Sequence, residues 1–334
     1  NLVWEYIFDS PRFTQHHDIQ PMPNGNILVL AKEHIPMEEA IELGFDLDIL
    51  ETLPNRNTNE PLDEVDLDSI FEINPQTDTV VWEWHVSDHL IQETSPDFPN
   101  YGDIADFPRR INLNYHDVPR VTDTIHMNSI AYNGASDLII VSARSFSEIW
   151  VIDHNLTTEN ARGTQGDLIY RWGNPATYGQ GTEDDRTLYY QHDVRWVDDS
   201  QADSHLTVFN NGSRENQQSH VIEFKFPTDW MTNNAFHPPE LIWESTVDVF
   251  AINMSGGQYL PNSNILITLA PDGHFVEITQ DNEIVWDYIN PIYQTIDNVS
   301  TNRVFRATFY PVDFAGFENK NLQPRGELEI DIRQ

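Results

Sequence analysis

The chain has 334 residues, 54 of them acidic and 18 basic, which gives a formal charge of −36 with histidine neutral and a pI near 4.4. A surface this negative repels phosphate backbones and anionic headgroups, excluding nucleic acid and membrane surfaces as partners, and no stretch approaches the roughly 18 apolar residues of a bilayer span. Cysteine is absent, so disulfides, thiolate nucleophiles and cysteine-held zinc or iron–sulfur centres are excluded too.

With 39% hydrophobic and 11% aromatic residues the chain can bury a large core. Its only lysines are Lys32, Lys225 and Lys320, a composition that suits saline surroundings or an ordinary acidic secreted protein. Asn1 opens straight into the strand-like Leu2-Val3-Trp4 with no signal peptide, which reads as the processed form of an exported protein, periplasmic or extracellular. The composition leaves the oligomeric state open.

The first predicted element is the strand Leu2–Phe8, which holds the phrase Val3-Trp4-Glu5-Tyr6. A hairpin follows around the turn Pro23-Asn24-Gly25-Asn26. Residues 31–68 form a first insertion, acidic and rich in Pro and Asn, with room for one or two helical turns over 36–50. Strands at Ile70-Phe71-Glu72-Ile73 and Val81-Trp82-Glu83-Trp84 come next, then a second acidic insertion at 87–124. The unit opening at His126 runs through Ile149-Trp150-Val151-Ile152-Asp153 and ends on Tyr170-Arg171-Trp172. The next opens at His192 and carries Val221-Ile222-Glu223-Phe224 and Ile242-Trp243-Glu244. The last contains the turn Pro261-Asn262-Ser263-Asn264, then Phe275-Val276-Glu277-Ile278 and Val285-Trp286-Asp287-Tyr288.

These phrases recur in one order, with Trp-to-Trp intervals of 78, 90, 71 and 43 residues. Each unit reads as four short antiparallel strands, and radial repetition of such units is a β-propeller. The whole of 1–334 is therefore expected to be one all-β domain of five to six blades around a central channel. Residues 31–68 and 87–124 are expected as loops, and Leu2–Phe8 as the strand that completes the C-terminal blade and closes the ring.

Three histidines share a place in the repeat: His17 in Gln15-His16-His17-Asp18, His126 in Ile125-His126-Met127-Asn128, and His192 in Gln191-His192-Asp193. They lie 109 and 66 residues apart in sequence, yet equivalent positions at the start of inner strands converge at the channel mouth. Ser255 holds the place in the fourth unit, and in the fifth it falls near Asn302 and Arg303. An imidazole there can fasten blades by hydrogen bonding. Three together can also hold a metal or act as nucleophile and general acid/base. Arg144, after the second strand of the His126 unit, argues against a metal and for an anionic group, because its forked donors match sulfuryl or carboxylate oxygens.

His126-Met127-Asn128-Ser129-Ile130, then Ser142-Ala143-Arg144 and Ser147-Glu148-Ile149-Trp150-Val151-Ile152-Asp153, resemble the aryl-sulfate sulfotransferase family. Trp172-Gly173-Asn174-Pro175, Gln191-His192-Asp193, Phe209-Asn210-Asn211-Gly212 and Arg303-Val304-Phe305-Arg306-Ala307 continue the resemblance over most of 1–317. It implies a six-bladed propeller that moves a sulfuryl group from an aryl sulfate to a small phenolic acceptor through a transient sulfohistidine, with no cofactor and no metal. His192 would then be the nucleophile, His126 a general acid/base or sulfuryl ligand, Arg144 the anion binder and His17 the remaining imidazole. His16, Asn128, Asp193 and Arg306 are the residues expected to bind substrate.

Two other readings use the same scaffold. One is a lyase, hydrolase or His-ligated metal enzyme acting on an anionic substrate. The other is a non-catalytic ligand-binding propeller in which Trp82, Trp84 and Tyr101 touch the ligand. The alternating carboxylates of Asp63-Glu64-Val65-Asp66-Leu67-Asp68 lack the Gly and terminal Glu of an EF-hand and read as a solvated loop.

Overall fold

The computed structural model describes residues 2–8, 10–46, 63–115, 123–296 and 299–323. Among them four sheets of four antiparallel strands follow one another, each laid out in sequence order from an inner to an outer strand. The first comprises β1 (Phe13–Pro21), β2 (Ile27–Pro36), β3 (Glu64–Asn74) and β4 (Thr79–His85). A short parallel pair, β5 (Leu90–Ile91) and β6 (Ile111–Asn112), precedes the second sheet of β7 (Met127–Asn133), β8 (Leu138–Ala143), β9 (Glu148–Asp153) and β10 (Tyr170–Trp172). The third comprises β11 (His192–Trp196), β12 (Leu206–Asn210), β13 (His220–Lys225) and β16 (Glu240–Glu244), with the hairpin β14 (Met231–Thr232) and β15 (Ala235–Phe236) inserted before its last strand. The fourth comprises β17 (Gly256–Tyr259), β18 (Ile265–Leu269), β19 (His274–Ile278) and β20 (Ile284–Ile289). The hairpin β21 (Gln294–Ile296) and β22 (Val299–Thr301) follows. This is an all-β chain of the propeller type.

The middle strands of the second sheet, β8 and β9, are buried on both faces, and the two-residue period sorts their apolar side chains between neighbours. In the second sheet Ile139, Val141, Trp150 and Ile152 pack toward Leu30, Ile70 and Trp84 of the first. The alternate residues Ile140, Ile149 and Val151 pack toward Val194, Val208 and Phe224 of the third. Phe209 and Val221 then meet Ile265, Ile267 and Val276 of the fourth. Trp150 is fully buried, and truncating such a side chain to Ala costs about 3–5 kcal/mol.

The repeated phrases fall where the repeat requires. The Glu-bearing phrase is the third strand of its sheet and the Trp-bearing phrase the fourth. The two Pro-Asn turns join inner strands, and each is pinned alike. Asn24 and Asn26 donate to Glu72 Oε1 at 3.0 and 2.5 Å, while Asn262 and Asn264 donate to Glu277 Oε1 at 3.0 and 2.6 Å.

Among the described residues four sheets have four strands and three have two, against an expectation of five to six blades. Leu2–Phe8 has no strand assignment there: Trp4, Tyr6 and Phe8 pack on the open face of the first sheet against Val29, Ala31, Phe71 and Ile73. Its aromatic alternation serves that packing rather than a ladder. The 31–68 stretch is only partly a loop, because Ile35, Val65 and Leu67 are buried and extend β2 and β3 into a long hairpin carrying the helix α1 (Met37–Glu42). Residues 47–62 and 116–122 of the two insertions lie outside the described residues. Within 87–124 His89, Ile91, Gln92 and Ile111 are buried, while Glu93, Asp97, Tyr101 and Asp106 are exposed.

Candidate functional site

The inner strands β1, β7, β11 and β17 lie side by side, which brings the starts of the repeats together. Three are irregular there: the register slips between Gln15 and Ile19, between Met127 and Ile130, and between His192 and Arg195. Such bulges re-aim side chains out of the ladder. His17, His126 and Ser255 adopt the left-handed conformation, with φ of +49°, +58° and +81°, as does Asp193 at +56°. For non-glycine residues this is strained backbone, held only where the surroundings impose it.

The imidazoles of His17 and His126 stand 4.5 Å apart between centroids, edge to face. His126 Nδ1 is 2.5 Å from Asp123 Oδ2, and Lys32 Nζ lies 3.3 Å from the other Asp123 oxygen. Burial opposes ionisation of Asp123, but the His126 hydrogen bond and the charges of His126 and Lys32 outweigh it and hold the carboxyl well below the usual range. His17 Nδ1 meets His16 Nδ1 at 2.7 Å. Burial first, then repulsion from His126 and His16, pushes His17 down to about 3 and keeps it neutral. His17 also lines a cleft of about 850 Å³ between the N-terminal segment and the first sheet.

His192 is 3% exposed, and burial lowers its proton affinity far below the ordinary histidine value, with Arg144, His126 and His17 adding repulsion against the Asn211 hydrogen bond. Both ring nitrogens are engaged. Asn211 donates through Nδ2 to the Ala251 and Met254 carbonyls, so its Oδ1, 2.7 Å from His192 Nδ1, is an acceptor and places the proton on Nδ1. Nε2 then holds the lone pair and accepts from the Met254 N–H at 3.2 Å. Arg144 lies over the Tyr190 ring at 5.2 Å. The four groups His17, His126, His192 and Arg144 therefore share one electrostatic neighbourhood.

The sequence profile described as Arylsulfotransferase (ASST) matches residues 7–291. The chain belongs to the arylsulfotransferase family. No curated protein matches it. Among solved structures it is similar to a protein of unknown function from Bacteroides caccae, at 12% identity over 69% of this chain and 58% of that one, with a TM-score of 0.34. It is also similar to the β-propeller domain of Cps50 (Swd1) from Myceliophteria thermophila, at 7% identity, 70% and 57% coverage and a TM-score of 0.31. The WD40 domain of coronin from Toxoplasma gondii aligns at 8% identity, 73% and 43% coverage and a TM-score of 0.31. The chain thus spans about half the length of these structures. Alignments this loose carry no argument, and the fold rests on the four sheets themselves.

Within this arylsulfotransferase chain the remaining expected site residues are placed differently from the imidazoles. Arg306, and not Arg303, enters the centre, where Nη1 donates to Asp18 Oδ2 at 2.9 Å and to Asp193 Oδ1 at 3.1 Å. Its charge is thereby matched by two carboxylates, and Arg195 also holds Asp193 at 2.8 Å. Asp193 and Arg306 fasten the first and third sheets to the C-terminal segment. Gly256 leaves the room Asp193 needs, since a Cβ there would lie 2.1 Å from its Oδ2. Asn128 is buried and donates to the Gln191 carbonyl at 2.8 Å, joining the second sheet to the third. His16 sits behind His17, with Nε2 at 2.7 Å from Asp68 Oδ1, off the ideal hydrogen-bond direction.

Asp18, Asp68, Asp123, Asn211 and Met254 were missed from sequence. Two of them had a signal: Asp18 in the His-Asp pair repeated at His17-Asp18 and His192-Asp193, and Asn211 in the Phe209-Asn210-Asn211-Gly212 motif. Trp82 and Trp84 are core residues, while Tyr101 is half exposed. Asp66 and Asp68 lie on β3, not in a loop. Among the described residues His34, Glu64 and Asp66 bring ligand-type atoms within 4.8 Å, but Lys32 Nζ already neutralises Asp66 at 3.1 Å.

Proposed function

We propose that this chain transfers a sulfuryl group from an aryl sulfate to a small phenolic acceptor, without a nucleotide, through a sulfohistidine on His192. The convergence of three imidazoles from one repeat position, with Arg144 in the same electrostatic neighbourhood, carries this reading, together with the family. His192 Nε2 attacks sulfur. The N–S bond forms as the S–O bond to the aryl group breaks, and the phenolate leaves with the electron pair. Asn211 supports the role by fixing the proton on Nδ1, which leaves Nε2 as the lone-pair nitrogen. The incoming sulfuryl group displaces the Met254 amide from Nε2 and gains its N–H as a donor.

His126 protonates the departing phenolate, and Asp123 stabilises the charge His126 holds before it does so. Arg144 binds the non-bridging oxygens, where negative charge is concentrated. In the second half the acceptor oxygen attacks sulfur, the S–N bond breaks, and the pair returns to His192. Splitting the transfer in this way predicts ping-pong kinetics.

The test is release of 4-nitrophenolate from 4-nitrophenyl sulfate with and without phenol, beside metal analysis of the same protein. The reading expects acceptor-dependent turnover from metal-free protein, abolished in His192→Ala, and a sulfated His192 trapped by rapid quench. Absence of turnover with several phenols, or a stoichiometric metal needed for it, overturns the reading.

A further inference from the structure

The site contains two histidine–carboxylate pairs where sulfuryl transfer from one phenol to another needs two opposite proton movements. One is Asp123 with His126. The other runs through two rings: Asp68 Oδ1 at His16 Nε2, 2.7 Å, then His16 Nδ1 at His17 Nδ1, 2.7 Å. Asp68 is 2% exposed and held in place by accepting the Met127 N–H through its other oxygen at 3.2 Å. A carboxylate at His16 Nε2 keeps a proton on that nitrogen. His16 Nδ1 is then the acceptor in the contact between the rings, and His17 Nδ1–H the donor. His17 is thereby left with its lone pair on Nε2.

We propose that Asp68 and His16 are positioning residues that make His17 the general base for the acceptor phenol. The proposal rests on the sulfuryl-transfer reading above. It assigns the two half-reactions to different rings, with His126 giving a proton to the departing phenolate and His17 Nε2 taking one from the acceptor hydroxyl as its oxygen attacks sulfur. The balance closes: one cycle leaves His17 with the extra proton and His126 without one. The 4.5 Å contact between these rings is where the proton returns, directly or through a water.

The cleft of about 850 Å³ beside His17 gives an acceptor a route to that ring. Neutral His17 retains its lone pair at working pH, and the negative charge of the bound sulfuryl group raises its proton affinity when the acceptor is in place. The charged or titratable groups felt by His17 include His126, His16, Asp123 and Lys32, and His192 interacts with it as well.

The experiment compares wild type, Asp68→Asn and His16→Gln in two phases: the donor-only burst of 4-nitrophenolate, and steady turnover with a series of phenols of differing acidity. The expected result is a selective loss, with acceptor turnover on phenol reduced roughly 100-fold, the low end for loss of a positioned proton acceptor, while a full donor burst still occurs. Strongly acidic phenols, already ionised at assay pH, restore most of that loss. Two variants guard against one that misfolds, since an intact burst in either certifies its fold. Equal loss of burst and turnover, or a loss that acidic phenols do not rescue, overturns the proposal and leaves sulfuryl transfer standing. A wild-type protein with no burst overturns sulfuryl transfer itself, and the proposal with it.

Discussion

Arg306 Nη1 lies 2.9 Å from Asp18 Oδ2, although 288 residues separate the two in sequence, and the same nitrogen reaches Asp193. One cation thus ties the C-terminal segment to the first and third sheets at the centre. Burial disfavours its charge, but the two carboxylates more than offset this and raise its proton affinity. Replacing it by Met leaves buried Asp18 without its cation and Asp193 with Arg195 alone, and the expected loss is about 3 kcal/mol in urea unfolding. The triple variant Asp18→Asn, Asp193→Asn, Arg306→Met regains a large part of that loss. A single variant as stable as wild type would show that the centre does not depend on this charge triad.

The middle strands were legible where both faces are buried, so Leu138–Val141 and Ile149–Ile152 read as strands without reference to any partner. The histidine convergence was legible for a related reason: a repeat converts sequence position into spatial position. The carboxylates behind the imidazoles were not. With 54 acidic residues, nothing in the sequence distinguishes Asp68 or Asp123 from an acid on a solvated loop. Their selection is made by bulges in β1 and β7 that turn His16, His17 and His126 out of register. Counting along the repeat also pointed to Arg303, because β21 and β22 intervene between the fourth sheet and Arg306. For Leu2–Phe8 the alternation of Trp4, Tyr6 and Phe8 is the same whether a strand pairs or simply lies across a face.

Asn211 sets the tautomer of His192, and a charged replacement should change its chemistry in a defined direction. In Asn211→Asp the new carboxylate favours the imidazolium, which has no lone pair to attack sulfur. The rising limb of the donor kcat/KM profile is expected to move up by about 1–3 pH units, with activity recovering as the pH is raised through the new value. Asn211→Ala removes the acceptor without adding charge and should lower activity with no such displacement. A profile that stays in place in Asn211→Asp would mean that His192 Nε2 is not the attacking atom.

Asp123 acts through His126 on the leaving phenolate, so its effect should depend on how much that phenolate needs a proton. Asp123→Asn is expected to slow the burst with phenyl sulfate by roughly 100-fold and that with 4-nitrophenyl sulfate by less than about 10-fold, because nitrophenolate leaves unaided. Burst rates over a series of substituted aryl sulfates would check this through a steeper dependence on leaving-group acidity. An unchanged slope would reduce Asp123 to a partner of Lys32.

His154 joins the first two sheets with both nitrogens facing carboxylates, Nδ1 at 2.6 Å from Asp137 Oδ1 and Nε2 at 3.0 Å from Glu72 Oε2. Two acceptors require two donors, so the ring is held as the cation. Burial lowers its proton affinity, but the Glu72 and Asp137 hydrogen bonds outweigh this and raise it above the ordinary 6.5. Burial likewise works against the Glu72 charge, yet His154, Asn26 and Asn24 bring its carboxyl down from 4.5 to about 2. The histidine contribution is complete below about pH 6.5 and is lost as pH rises through the raised value. The glutamate contribution is complete above about pH 4.5 and is lost as pH falls toward 2. The clasp is therefore strongest between these limits. His154→Gln should cost about 2 kcal/mol at pH 5.5, a charged hydrogen-bond pair being worth that order, and distinctly less at pH 9. Urea unfolding of both proteins at the two pH values checks it, and a difference that stays constant with pH would show that His154 serves by packing against Trp82, whose ring centroid lies 4.7 Å away, rather than by its charge.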